Sequence, residues 1–334
     1  MVDVDIVMPF RDAAATLPAC LDSISMQTGV RWRLVAVDDD SSDDGPALVR
    51  SFVLRHPATV LVPSTGRGLV SALNTGLRHA TAPFVARMDA DDVMMPDRLA
   101  AQCAYLLAHP PIGVVGCRVE TIGAAAGFAH YLDWSNRLVD PESIARARFI
   151  ESPLVHPSVC FRRNVIEGHG GYRDGPFPED YELWLRWMDA GVAFAKVEQT
   201  LLRWSDHSHR LTRNDSRYRI EAFFEAKGPY LVRWLDRHNP HGRRVWVWGA
   251  GYETRRRVRR LVHHGLEIEA FIDIDPGKQG KQNRDGAVHA PESLPGPGRS
   301  FVLSAVGTRG ARDLIATALH ARGYHEGTHW LAIA

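Results

Sequence analysis

The chain of 334 residues is long enough for two domains, each with its own hydrophobic core. Its 40 Lys and Arg residues nearly balance its 39 Asp and Glu residues, which excludes the strong basic field of a nucleic-acid-binding protein. The four cysteines are widely spaced and form no CxxC pair, so we expect reduced, buried thiols in a cytoplasmic protein. No run reaches the ~20 apolar residues of a membrane span, so any membrane contact is expected to be peripheral.

The N-terminal third alternates between short apolar strands and amphipathic helices. The pattern predicts helices at 13–27, 46–55 and 69–79 and from Pro96 to Pro110, with strands at 4–8, 33–37, 58–62 and 84–87. This order predicts an α/β fold with a doubly wound, mostly parallel sheet. A strand is expected at 112–119, irregular chain at 123–150, and another strand at 153–161.

Two of the predicted strands run directly into acidic clusters. The strand at 33–37 is followed by Asp38, Asp39 and Asp40, and the strand at 84–87 by Asp89-Ala90-Asp91-Asp92. The carboxyl ends of parallel strands meet at one edge of a sheet, where α/β proteins bind ligands. Carboxylates packed this closely favour a hard divalent cation. The second cluster alone is more typical of a solvated acidic turn before the helix that begins near Pro96 than of a metal site.

Several motifs in a fixed order carry a family resemblance. They are Pro9, Ser23-Ile24-Ser25-Met26-Gln27, Val37-Asp38-Asp39-Asp40, Ala72-Leu73-Asn74-Thr75-Gly76-Leu77, Met88-Asp89-Ala90-Asp91-Asp92, and Pro96-Asp97-Arg98-Leu99. On these motifs the segment from Val4 to Arg213 resembles a family 2 glycosyltransferase with the GT-A fold, a type that uses nucleotide sugars. The resemblance implies an inverting transferase that moves a sugar to a hydroxyl group of a cell-surface glycan or glycolipid.

The resemblance also implies donor-binding residues. Asp39 matches the acid that accepts a hydrogen bond from the nucleotide base, and Pro9 and Phe10 would line the base pocket. A basic group near the phosphates is expected from Arg67 or from Arg87. Both arginines are equally typical of a surface or a sheet edge.

A divalent cation, Mn²⁺ or Mg²⁺, is the cofactor that the resemblance implies. It would neutralise the diphosphate of the donor. Asp91 matches the direct ligand, and Asp89 lies nearer the ribose or sugar and is a further metal candidate. Asp92 stays open between a ligand and a helix cap. His207 is the expected third ligand, with His209 in reserve, although a loop of solvated histidines is the alternative.

The acceptor side is expected around a predicted helix that begins near Glu179. Asp180 matches the general base of inverting members, and Glu179 positions it. Without the resemblance these acids are typical helix caps. Trp184 and His156 are candidate acceptor contacts, and for each of them a structural role is at least as well supported.

A second pattern follows a break at 238–242. Predicted strands at 244–248, 266–272, 301–306 and 330–333 alternate with helices to form a small Rossmann-like unit. Its Gly-rich turn has Gly249 and Gly251 but Thr254 in place of a third glycine, and Asp273 lies where a ribose-binding acid is expected. The run 255–260 is rich in arginine and suits a solvated helix face or anionic lipid headgroups.

The sequence therefore predicts a glycosyltransferase domain at 1–213, a helical linker at 214–241 and a Rossmann-like domain at 242–334. A nucleotide- or NAD-binding module and a catalytically silent interaction protein are the alternatives. The expected partners are a nucleotide-sugar donor and a glycan or glycolipid acceptor, without nucleic acid. Contact with the inner face of the membrane and a homo-oligomer both stay open.

Overall fold

The computed structural model describes residues 2–122, 126–206, 215–239 and 241–334. The chain folds into two compact units. The first comprises Met1–Ala145, Pro153–Asp174 and Arg186–Asn214, and the second comprises Arg146–Ser152, Gly175–Leu185 and Asp215–Ala334. Two short segments from earlier in the chain thus belong to the second unit. The predicted domain boundaries after residues 213 and 241 stay a prediction.

The first unit is built on an eight-stranded sheet in the order β3-β2-β1-β4-β7-β6-β8-β5. Its strands are β1 Val2–Phe10, β2 Val30–Asp38, β3 Val60–Pro63, β4 Phe84–Arg87, β5 Val93–Met94, β6 Ile112–Ile122, β7 Cys160–Arg162 and β8 Ala193–Ser205. β1 pairs in parallel with β2 and β4, whereas β7 runs antiparallel between β4 and β6. The predicted α/β fold with a mostly parallel sheet is confirmed.

In the described part of the chain, eight α-helices begin before β8. They are α1 Leu17–Ser25, α2 Gly45–Arg55, α3 Leu69–His79, α4 Arg98–Ala108, α5 Ala126–Arg137, α6 Pro141–Ala147, α7 Arg163–His169 and α8 Glu179–Asp189. The first four follow strands in the predicted order. This alternation brings the carboxyl ends of β1, β2 and β4 to one edge of the sheet.

β1 is the centre of the parallel part of this sheet, and it carries a buried acid, Asp5. The carboxylate of Asp5 accepts hydrogen bonds from Nε and Nη2 of Arg33 on β2, both at 2.8 Å. The amide of Ala82, in the turn before β4, donates to the same carboxylate at 2.8 Å. Because the buried charge is fully paired, Asp5 joins β1 to both of its neighbours.

The segment 123–150 was expected to be irregular, but α5 and α6 occupy most of its described part, residues 126–150. Asp140 supplies the start signal of α6, since its Oδ1 accepts from the amides of Glu142 at 3.0 Å and Ser143 at 2.9 Å, with Pro141 in the first turn. α5 is held against β6 by Asn136, whose side-chain amide bonds both the amide and the carbonyl of Val119.

The single strand expected at 153–161 is also wrong. A 3₁₀ turn at His156–Ser158 interrupts it, and only β7 follows. Pro157 has no amide proton for a strand ladder. Both the amide and the hydroxyl of Ser158 donate to the carbonyl of Val155, at 2.9 and 2.6 Å, which closes the turn.

The second unit contains a six-stranded sheet in the order β11-β12-β10-β9-β13-β14. Its strands are β9 Arg244–Trp248, β10 Ala270–Ile272, β11 Gln282–Asn283, β12 Gly286–His289, β13 Ser300–Ser304 and β14 Trp330–Ala332, and its later helices are α9 Ile220–His238, α10 Tyr252–His263 and α11 Ala311–His320. The strand expected at 266–272 is shorter than predicted, and β11 and β12 were not anticipated. The predicted second, smaller α/β sheet is present.

Among the described residues, no helix combines the length and the apolar character needed to cross a bilayer.

Candidate active site

The acidic segment after β4 forms a tight cluster at the carboxyl edge of the sheet. The amide of Met88 donates to the carbonyl of Val7 on β1 at 3.1 Å, and the chain then turns with Asp92 N donating to Asp89 O at 3.3 Å. One carboxylate oxygen from each of Asp89, Asp91 and Asp92 lies within 4.8 Å of the others. In the part of the chain that the structure describes, no other set of three His, Cys, Asp or Glu side chains is grouped in this way.

Hard oxygen ligands at this spacing fit a divalent cation such as Mn²⁺ or Mg²⁺. The structure therefore brings together the two predicted metal residues, Asp89 and Asp91. It also brings Asp92 to the same point. The predicted ligand His207 and its reserve His209 lie outside the described residues.

Asp92 is fully buried, and its Oδ1 accepts from the amide of Ser205 at the end of β8 at 2.8 Å. The hydroxyl of Ser205 donates to the carbonyl of Asp91. Asp92 is too early in the chain to cap α4, which begins at Arg98. Asp92 therefore does not act as the helix cap, which was one of the two roles left open for it. Its carboxylate binds the end of β8 and holds that strand beside the acidic cluster.

Ser23 in α1 and Gln27 just after it bind the chain that follows the acids. Ser23 Oγ accepts from the amide of Met94 at 3.2 Å, and Gln27 Nε2 donates to the carbonyl of Met95 at 2.7 Å. Gln27 Oε1 also accepts from the amide of Leu99 at 3.1 Å. The Ser23 and Gln27 motif therefore orients the acidic segment, a role that the sequence did not suggest.

A buried arginine, Arg87, lies beside the acidic cluster. Its Nη1 lies 2.7 Å from Asp89 Oδ1, and its side chain is only 2% exposed. Its Nε donates to His156 Nε2 at 3.4 Å, and the same ring nitrogen lies 2.7 Å from the hydroxyl of Tyr172. Burial, followed by the charge of Arg87, holds the pKa of His156 well below its usual range.

His156 is therefore a neutral ring that supports Arg87. Since a guanidinium can only donate, Nε2 of His156 accepts from it, and the hydroxyl of Tyr172 donates to the same nitrogen. This arrangement favours the structural role that the sequence left open for His156 over contact with an acceptor. Arg87, which the sequence named with Arg67 as a candidate for the basic group near the phosphates, lies beside Asp89.

The predicted base pocket lies at the ends of β1 and β2. The amide of Asp39 donates to the carbonyl of Phe10 at 2.9 Å, and Asp39 Oδ1 accepts from the amide of Gly68 at 2.8 Å. Burial raises the pKa of Asp39. Pro9 and Phe10 are buried beside it. The side chain of Arg67 is 85% exposed and pairs with Asp40 at 3.2 Å.

Glu179 and Asp180 lie in the second unit, in the first turn of α8. Glu179 is buried, and its Oε2 accepts from the hydroxyl of Tyr218 at 2.7 Å. Asp180 Oδ1 accepts from the amide of Tyr181 at 2.7 Å. Burial and the two acids raise the pKa of Tyr218, so it stays a hydrogen-bond donor. The sequence gave no signal for Tyr218. Trp184 is fully buried, which favours packing over contact with an acceptor.

The Gly-rich turn of the second unit is held by a hydrogen bond to Asp273. Asp273 Oδ2 accepts from the amide of Ala250 at 2.9 Å and from Lys278 Nζ at 3.1 Å. Asp273 Oδ1 accepts from the amide of Asp275 at 3.0 Å. The acid that the sequence offered for a ribose therefore holds the turn itself.

The arginine-rich run on α10 is paired with acids of the same unit. Arg256 pairs with Glu221, and Arg259 Nε lies 2.6 Å from Asp285 Oδ1. These pairs favour a structural role for this helix face over contact with lipid headgroups.

Comparison with known proteins gives a consistent result. Residues 5–170 match the family model described as glycosyl transferase family 2. The amylovoran biosynthesis glycosyltransferase AmsE of Erwinia amylovora is 29% identical over 58% of this chain and 71% of its own. Staphylococcus aureus TarS 1-349, solved in complex with UDP-GlcNAc, has a TM-score of 0.56 at 16% identity, covering 79% of this chain and 71% of that one.

A third similar protein is the mannosyltransferase PcManGT of Pyrobaculum calidifontis, solved with GDP-Man and Mn²⁺. It has a TM-score of 0.50 at 24% identity, covering 70% of this chain and 63% of that one. At these identities the two solved structures are similar in fold alone.

Proposed function

Because the chain belongs to glycosyl transferase family 2 through residues 5–170 and is a glycosyltransferase, we propose that it is an inverting, metal-dependent enzyme that uses a nucleotide-diphosphate sugar. The acceptor is a hydroxyl group of a glycan or glycolipid of the cell-surface polysaccharide type. The observation that carries this proposal is the cluster of Asp89, Asp91 and Asp92, whose ligand oxygens lie within 4.8 Å of one another.

The nucleotide base is proposed to lie at the ends of β1 and β2. Asp39 accepts the imide N–H of the base, and the backbone and ring of Pro9 and Phe10 line the pocket. The burial of Asp39 supports this role, because a carboxylate shielded from water makes a stronger hydrogen bond. Similar proteins have been solved with UDP-GlcNAc and with GDP-Man, so both bases are candidates.

Asp91 and Asp89 would hold the divalent cation, with Asp92 as a further oxygen ligand. When bound, the cation neutralises charge on the diphosphate leaving group. The Mn²⁺ complex of the similar mannosyltransferase supports this assignment. His207 stays a predicted third ligand. Arg67, which is exposed and pairs with Asp40, is proposed to contact the phosphates of the donor.

Asp180 is proposed as the general base. The acceptor oxygen bonds to the anomeric carbon as the bond from that carbon to the diphosphate oxygen breaks, and the acceptor proton passes to the carboxylate of Asp180. A single displacement of this kind inverts the anomeric carbon. Glu179 is a positioning residue, since it is buried and fixed by Tyr218.

The identity of the acceptor rests on the similar proteins. AmsE is named for the biosynthesis of amylovoran, and another similar protein, WfgD of Escherichia coli, is named for transfer to GlcNAc-diphosphoundecaprenol. A lipid-linked saccharide is therefore the acceptor class that we propose to test first. A cytoplasmic location, peripheral membrane contact and a homo-oligomer stay predictions.

The alternative function, NAD binding by the second unit, has less support. The carboxylate of Asp273 already accepts from the amides of Ala250 and Asp275 and from the ammonium of Lys278, which leaves it little capacity to bind both hydroxyl groups of a ribose.

The test is sugar release and transfer with a panel of UDP-, GDP- and dTDP-sugars, measured with Mn²⁺ and with EDTA. We expect at least one donor to be turned over with Mn²⁺ and none with EDTA. If donors are turned over equally well with EDTA, the enzyme is not metal-dependent.

A further inference from the structure

Two buried arginines, Arg87 and Arg98, lie close to the acidic cluster. Arg87 is 2% exposed and Arg98 is fully buried. Each is electrostatically coupled to Asp92, and Arg87 is also paired with Asp89. Buried guanidinium groups keep their charge, because arginine does not lose its proton in proteins. Three carboxylates and two guanidinium groups together carry a net charge of only −1.

Arg87 is directly paired with one of the candidate metal ligands and is fixed from several sides. Its Nη1 is 2.7 Å from Asp89 Oδ1, and its Nε donates to His156 at 3.4 Å. Its amide donates to the carbonyl of Val159 at 2.9 Å, and its carbonyl accepts from Arg98 Nη2 at 2.9 Å. The guanidinium therefore stays beside Asp89 and is not available to swing toward a ligand.

Neither His156 nor Tyr172 cancels the charge of Arg87. His156 is neutral and accepts from Arg87, and Tyr172 donates to His156 from the other side. Tyr172 is itself held by Asn74, which bonds its amide and its carbonyl, both at 2.9 Å. Asp89 is thus the anion with which the charge of Arg87 is directly paired.

We propose that Arg87 is a charge-balancing and positioning residue that weakens the affinity of the acidic cluster for a free divalent cation. The site then takes up the cation strongly only together with a nucleoside diphosphate, whose phosphates supply the missing negative charge. This inference rests on the proposed metal-dependent function. Its physical basis is the repulsion between a fixed guanidinium and a cation that must share Asp89, at a short distance and with little screening by water.

The test is isothermal titration of MnCl₂ alone into the full-length protein. Arg87→Met removes the charge and the hydrogen bonds, Arg87→Gln removes the charge but keeps a donor for Asp89, and Arg87→Lys keeps the charge. We expect the Met and Gln variants to bind Mn²⁺ at least about tenfold more tightly than the wild type, and the Lys variant to bind it as the wild type does. Equal or weaker binding by the Met and Gln variants would overturn the proposal.

Arg31→Met is the matched control. Arg31 is an exposed arginine at the opposite edge of the sheet, paired with Asp3 at 2.6 Å, so its loss should leave Mn²⁺ affinity unchanged. Thermal melts identify any variant that does not fold, and a gain in affinity cannot arise from misfolding. The two neutral variants keep the test valid if one of them is unstable.

Titrations with Mn²⁺ in the presence of UDP or GDP separate the two hypotheses. If the wild type binds no Mn²⁺ even with a nucleotide, the proposed metal-dependent function fails. If the wild type binds Mn²⁺ with a nucleotide but the neutral variants gain nothing for Mn²⁺ alone, only the inference about Arg87 fails.

Discussion

At the scale of single residues, the contacts that position the acidic cluster include a glycine, Gly171, which has no functional side chain. A Cβ at Gly171 would lie 2.5 Å from Asn74 Oδ1. That oxygen accepts from the amide of Tyr172 at 2.9 Å, and Tyr172 in turn supports His156 and Arg87. A methyl group at position 171 would therefore disturb a series of contacts that ends at the acids.

We predict that Gly171→Ala lowers the free energy of unfolding by about 1–3 kcal/mol, because Asn74 must give up its paired hydrogen bonds with the buried backbone of Tyr172. Thermal melting measures the loss. Gly168→Ala is the control: position 168 is inside α7, and apart from the neighbouring backbone of that helix no atom lies within 4 Å of a Cβ there. The control should be neutral or slightly more stable. Equal melting temperatures for the two variants would show that the contact with Asn74 is not needed.

At the scale of elements, the sequence correctly predicts the order of strands and helices wherever local hydrophobic periodicity determines it. The order of β1, α1, β2, α2, β3, α3 and β4 follows from short apolar runs and amphipathic helices, and with it the meeting of Asp39 and Asp89 at one edge of the sheet. The first turn of α8, with Glu179 and Asp180, follows from the same kind of signal.

Other elements depend on contacts between distant parts of the chain. The antiparallel insertion of β7 and the turn at His156 are set by pairing with β4 and β6, which sequence periodicity does not report. Arg87 lies inside a predicted strand, so its identity as a buried partner of Asp89 could not be separated from a sheet-edge arginine. Tyr218 and Ser205 act on acids far away in sequence, and no local pattern identifies such partners.

At the scale of the whole molecule, the second unit assembles around a buried lysine. Lys227 is fully buried on α9, and its Nζ donates to the carbonyls of Phe149 at 2.6 Å and Ile333 at 2.9 Å. It thus joins the segment 146–152 to the C-terminal end of the chain, which explains why that segment belongs to this unit. Burial lowers the pKa of Lys227 to about 7, although Glu151 acts in the opposite direction.

This pKa predicts a dependence of stability on pH. An unfolded lysine keeps its ordinary pKa of about 10.4, so between about pH 7 and 10 the unfolded chain binds more protons than the folded one. The free energy of unfolding should therefore rise with pH in that window, by at most about 1.4 kcal/mol per pH unit for one lysine. Lys227→Met should show a smaller rise in melting temperature from pH 7 to 9 than the wild type.

Lys281→Met is the control, because Lys281 is exposed and should leave the slope unchanged. Lys196, whose pKa is also lowered to about 7 by burial, keeps part of the slope in the Lys227 variant. An identical slope in the wild type and in Lys227→Met would contradict the assignment.

The central claim is tested most directly by Asp180→Asn, with transfer and donor affinity measured on the same preparation. We predict that transfer falls at least about 100-fold while donor affinity stays within about twofold, because a general base acts on the acceptor proton and not on the donor. Asp313→Asn, which changes a first-turn acid of α11, is the control and should leave both quantities unchanged. Retained transfer in Asp180→Asn, or a loss of donor binding as large as the loss of transfer, would contradict the account.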